Sequence, residues 1–174
     1  MKTMVKASLS SIITLVFLVI AGSALAASDS KSLTVTATVS PNAKLTLSAT
    51  TLTFPNSDPD TTPLIAASEG AITVTAKAKT GPSSPVTLEV RSSGPSNGDL
   101  VSGSDAIAIS NLCWTGSGTG FVAGPTQMSN TNQLAASWTG SGNRSGIQSF
   151  YLANSWSYAV GTYAATITYT LIHP

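Results

Sequence analysis

Charge is scarce in this sequence. Only 9% of its 174 residues are Asp, Glu, Lys or Arg, against roughly 25% in an ordinary soluble domain. Eight basic and seven acidic side chains nearly cancel, leaving a formal net charge of +1. Without a basic excess nothing neutralises a phosphate backbone, which argues against a nucleic-acid partner. The single cysteine, Cys113, has no partner for an internal disulfide. One cysteine and one histidine are too few for a structural zinc site. That histidine, His173, stands one residue from the C-terminus, a poor place for a general base. The many serines include no Gly-x-Ser-x-Gly elbow. Low charge signals disorder only when apolar content is low too; here it is 42%, enough for a packed core.

What is present begins with an export signal. Lys2 and Lys6 precede an apolar run from Ile12 to Ile20, and Ala24-Leu25-Ala26 supplies small residues for cleavage. Residues 1–26 therefore read as a cleaved signal peptide, and 27–174 as one β-sandwich domain. No second stretch in 27–174 is long and apolar enough to span a membrane. The expected location is secreted or at the cell surface.

The domain region alternates with period two. Leu33, Val35, Ala37 and Val39 share one face and Thr34, Thr36 and Thr38 the other, which predicts a half-buried strand. Further strands are expected at Leu45–Leu47, Leu52–Phe54, Ile72–Ala78, Val86–Val90, Ile107–Trp114, Leu134–Trp138 and Ile147–Leu152. The last, with Tyr163, Ala165, Ile167, Tyr169 and Leu171 on one face, closes the domain. Residues 55–63 and 92–104 read as loops. No helical period is evident. The fold class is all-β: a single antiparallel Ig-like or pilin-like sandwich of about 8–10 short strands.

Charge and aromatics are segregated. After residue 110 Arg144 is the only charged side chain, yet nine of the 11 aromatic residues lie there. Trp138, Tyr151, Trp156 and Tyr158 are the candidate ligand or partner surface, with Asn154–Tyr158 the best exposed segment. The opposing reading places these rings in the core. Trp114-Thr-Gly-Ser-Gly recurs at Trp138-Thr-Gly-Ser-Gly, which suggests related strand ends. Asp58 and Asp60 flank Pro59 in a loop; they either cap a turn or offer oxygens to calcium. Cys113 is either a small buried residue or a cross-link between chains.

The ending Gly161-Thr-Tyr163, then Ala164 to Leu171 and a final Pro174, resembles the closing strand of bacterial secreted β-sandwiches. It is similar to the distal motif of WxL surface domains, with Tyr169 where that motif has Trp. It also resembles chaperone–usher fimbrial subunits and spore coat protein U-like proteins, whose last strand opens with Gly and an aromatic. Leu33–Val39 is similar to their first strand. The resemblance implies contact with a cell-envelope polymer such as peptidoglycan, or with identical or related sandwich subunits. Gly161, Tyr163, Ile167, Tyr169 and Leu171 would form the structural corner and closing strand, with the Tyr163 hydroxyl tying the corner.

The reading is a secreted, non-enzymatic structural or surface protein that needs no cofactor and no metal. If it polymerises by strand addition, residues 32–39 or 163–171 are the donor or the receiving edge. The alternative is a carbohydrate-binding module using Trp138, Trp156 and Tyr158. A secreted hydrolase using carboxylates is a third reading.

Overall fold

The computed structural model describes residues 29–174. The signal peptide expected at 1–26 lies outside the described residues. Two units divide the chain between Ala37 and Thr38. Of the first, residues 29–37 are described: they carry no strand, and Lys31 pairs with Asp29 at 3.1 Å between two exposed side chains. The strand expected over Leu33–Val39 is therefore absent. Alternation makes a segment able to form a strand, but a strand needs a neighbour to share its hydrogen bonds.

The second unit, Thr38–Pro174, is a β-sandwich. A six-stranded sheet has the order β1 (Asn42–Leu47), β3 (Ile72–Lys79), β10 (Gly142–Ala153), β7 (Leu112–Ser117), β8 (Thr126–Gln127), with β2 (Leu64–Ala66) also on β10. Facing it is a three-stranded sheet of β11 (Ile167–Ile172), β4 (Pro85–Ser92) and β9 (Gln133–Thr139). A small hairpin, β5 (Leu100–Ser102) with β6 (Asp105–Ile107), stands apart. All pairings are antiparallel.

Alternating sequence becomes alternating burial. Ile72, Val74, Ala76 and Ala78 of β3 are buried, as are Val86, Leu88 and Val90 of β4. Trp114 and Phe150, cross-strand partners on β7 and β10, join Val74, Leu88, Val90 and Ala136 in one core cluster between the sheets.

On β9 the expected face is corrected. Leu88 pairs with Ala136 and Glu89 with Leu134, so Ala135 is an extra residue in the ladder. This bulge reverses the alternation. Ala135 and Ala136 are both buried, and Leu134 turns out to solvent.

The last strand is shorter than expected. Tyr163 and Ala165 precede it, and only Ile167–Ile172 pairs with β4. Leu52 and Phe54 form no strand, although both pack against the core. Their segment is held by Ser68 N–H donating to Thr53 O (2.8 Å) and Thr53 N–H donating to the Glu69 carboxylate (2.8 Å).

The Thr53 amide hydrogen bond holds the Glu69 carboxyl below its ordinary value. A depressed folded pKa stabilises the fold above the unfolded pKa, and that contribution is lost as pH falls through the folded value. The Thr53 amide proton is expected to shift in an NMR titration as Glu69 protonates, at a pH below the ordinary glutamate range. Glu69→Gln should abolish that shift; its persistence in the variant would assign it to another group.

Glycines let the chain bridge the sheets on one side. From β7 the chain arches across: Val122 N–H donates to Ala135 O (2.9 Å), and Ser137 N–H donates to Gly120 O (2.9 Å). It then returns, with Gly116 N–H donating to Ala123 O (2.7 Å). The arch covers the outer edge of β9. The Phe121 ring lies against Gly146, where an added Cβ would sit 2.5 Å from ring carbons. Gly146→Ala is expected to cost about 1–3 kcal/mol by overpacking. Phe121→Ala in the same chain should recover part of that loss in a denaturant titration. Simple additivity of the two would contradict the contact.

Both copies of the Trp-Thr-Gly-Ser-Gly pentapeptide sit where the chain leaves a sheet. The first starts the arch. The second takes the chain from β9 in the smaller sheet to β10 in the larger. There Gly140 has φ +76°. Ser141 Oγ accepts from Thr80 N–H and donates to Thr80 O, both at 2.9 Å. Both tryptophans are buried.

The opposite side is different. Ser93 N–H donates to Thr166 O (2.8 Å), which sets the parity of the β11–β4 ladder. The backbone groups of Thr168 and Thr170 then face β4, and those of Ile167, Tyr169 and Leu171 face outward. Among the described residues no strand pairs with that outer edge.

Candidate functional site

Two loops meet at one place on the sandwich. The first is 55–63. Within it Asp58 Oδ1 accepts from Asp60 N–H (2.9 Å), while Asp58 O accepts from Thr62 N–H (2.8 Å). The pattern is a turn that Asp58 stabilises with its own side chain. The capping reading of Asp58 and Asp60 thus accounts for Asp58. Among the described residues no three His, Cys, Asp or Glu side chains converge as a metal cluster.

The second loop follows β10. Asn154 anchors it: Nδ2 donates to Ser57 O (3.0 Å) and Thr62 O (3.1 Å), and its N–H donates to Pro63 O (2.9 Å). Ser155 Oγ accepts from Ser157 N–H (3.1 Å) and holds the turn. Tyr158 sends its hydroxyl to Ala153 O (3.1 Å). Trp156 stands at the turn, 71% exposed, with Nε1 donating to Asp60 Oδ1 at 3.0 Å. An indole ring is thereby presented to solvent in a fixed orientation.

The four candidate surface residues separate. Trp156 is exposed, and Tyr151 and Tyr158 are half-buried. Partial burial pushes the Tyr158 phenol up from its ordinary value. Trp138 is buried with Ala76, Ala78 and Val86, and its Nε1 has no hydrogen-bond partner. It leaves the platform because β9 beyond the bulge points it inward. Tyr151 lies on β10 between Ala66 and Cys113 in the register.

Of the expected closing-strand residues, Ile167, Tyr169 and Leu171 lie in β11, and Gly161 and Tyr163 lie in the segment before it. Tyr163 donates its hydroxyl to Ala159 O (2.9 Å), four residues upstream, tying the corner. Gly161 lies close against Ser102, whose side chain an added Cβ would have to displace. Ile167, Tyr169 and Leu171 are half-buried against the core. Tyr169 donates to Gln148 Oε1 across the two sheets, and burial pushes its phenol well above the ordinary range. Sequence reasoning missed Gln148, a fully buried amide on a strand otherwise read by its apolar residues.

Cys113 is half-buried, and desolvation raises its thiol pKa. A raised pKa keeps it protonated and slow to react. A broad surface concavity of about 620 Å³ is lined by Ser110, Pro125, Gln127, Met128 and Gln133, among others. None of the described residues that line it is titratable. No helix among the described residues is long and apolar enough to cross a membrane.

No protein-family model matches the chain, and comparison with curated proteins gives no match.

Proposed function

We propose that this chain is a secreted structural subunit of a cell surface, acting by contact rather than catalysis. It assembles when the segment around Leu33–Val39 of one copy adds as a strand to β11 of another. One observation carries this reading: Leu33, Val35 and Val39 are 88%, 82% and 73% exposed while alternating with threonines. Such a segment alternates as a strand does, and among the described residues it joins no sheet. Leaving three large aliphatic side chains in water forgoes roughly 1.5–3 kcal/mol each.

β11 offers a complement. Among the described residues no strand pairs with its outward N–H and C=O groups, and Ile167, Tyr169 and Leu171 beside them line the sandwich interior. An added strand would satisfy that backbone and place its aliphatic face over the core, leaving its threonines in water. The resemblance of both chain ends to fimbrial and WxL-type surface proteins supports the same reading.

Sedimentation tests it. The purified protein is expected to associate as concentration rises, and a version lacking residues 29–39 to stay monomeric. A full-length protein that remains monomeric at high concentration would overturn the assembly.

A further inference from the structure

We propose that Trp156 and Asp60 form a binding platform for chains of β-linked, all-equatorial hexopyranoses. The inference is independent of strand addition, because it uses the opposite kind of feature: a side chain held still in solvent rather than a strand without a sheet.

Trp156 is the only tryptophan exposed among the described residues; Trp114 and Trp138 are buried. A solvent-facing indole is usually loose. This one is held by Nε1–H donating to Asp60 Oδ1 at 3.0 Å. The loop carrying Asp60 is braced by Asp58, and the loop carrying Trp156 is fastened to it through the two Asn154 Nδ2 bonds. Because the ring is already ordered, binding to it loses little side-chain freedom.

The chemistry around the ring defines the ligand. An indole face is broad, apolar and electron-rich, and it attracts polarised C–H groups. A pyranose with all substituents equatorial presents axial C–H bonds on each face, so it lies flat on such a ring. An axial hydroxyl, as in a galacto-configured sugar, breaks one of those faces. The indole occupies only Oδ1 of Asp60, and Oδ2 remains an acceptor for ring-edge hydroxyls. Asp58 and Asp60 are both exposed and add negative charge, which disfavours anionic sugars. The site therefore selects neutral polymers, with either a hydroxyl or an N-acetyl group at C2.

The test titrates the purified protein with cellohexaose, N-acetylchitohexaose and hexagalacturonate, following tryptophan emission and heat. Saturable binding of either neutral hexamer is expected, and the stronger of the two identifies the C2 substituent. Hexagalacturonate should bind at least about tenfold more weakly. Trp156→Ala should weaken binding by about tenfold or more at an unchanged melting temperature, because the ring is on the surface. Asp60→Asn keeps an acceptor for the indole and removes the charge. It should retain neutral-sugar binding within about threefold, while hexagalacturonate, whose axial hydroxyl still spoils the stacking face, should stay the weaker ligand. The proposal fails if neither neutral hexamer saturates below about 10 mM. It fails equally if Trp156→Ala binds as well as the unaltered protein.

Discussion

Trp114→Ala is expected to lower the folding stability by about 3–5 kcal/mol. Trp114 is wholly buried, lies opposite Phe150 in the β7–β10 ladder, and packs in the cluster that joins the two sheets. Truncation would leave a cavity lined by residues of both layers, and backbone ladders on either side limit how far they can collapse. Its Nε1–H, however, has no hydrogen-bond partner. An unpartnered buried donor costs about 1–3 kcal/mol. Trp114→Phe removes that donor while keeping most of the apolar volume, so its net cost should be about 1 kcal/mol or less. Urea unfolding of both variants checks the pair. An alanine variant as stable as the phenylalanine variant would mean that the ring fills no essential space.

Val35→Asp and Val39→Asp, singly, are expected to weaken assembly at least about hundredfold, and Thr36→Asp and Thr38→Asp to weaken it only slightly. The contrast follows from the period of a strand. Added beside β11, the segment would turn Val35 and Val39 toward the apolar interior and Thr36 and Thr38 toward water. A carboxylate on the inner face loses its hydration with no cation to meet it; on the outer face it keeps water. Sedimentation at matched concentrations separates the two pairs. Equal effects of all four substitutions would show that added charge alone disperses the protein, without an inserted strand.

The sheet-forming strands were legible where burial falls on one face without interruption. β3 and β4 match their sequence alternation because both are interior strands, paired on each side. The alternation at Leu33–Val39 is as clean, yet no strand forms there. Local pattern reports which face a strand would bury, not whether a neighbour is present. β9 failed in a different way: the bulge at Ala135 lies in the pairing register, which sequence alternation does not encode. The short β2, β5, β6 and β8 carry two or three residues each, too few for a period.

The candidate site was half legible. Trp156 and its turn stood out as an aromatic among serines and asparagine. Asp60 stood out only as a turn cap or calcium ligand, because its link to Trp156 spans 96 residues and depends on Asn154 joining two loops. Trp138 shared the composition of the platform but belongs to the core. The same pentapeptide around Trp114 and Trp138 marks strand ends at sheet crossings, where a large ring fills the space between layers.

The measurement that bears most directly on strand addition is amide hydrogen exchange at Ile167, Tyr169 and Leu171. Their N–H groups face outward from β11, so in the version lacking residues 29–39 they should exchange fast. In the full-length protein they should become protected as concentration rises, in step with the sedimenting species. Fast exchange at all three amides in the fully assembled protein would contradict the account, because whatever then joined the copies would not be a strand on this edge.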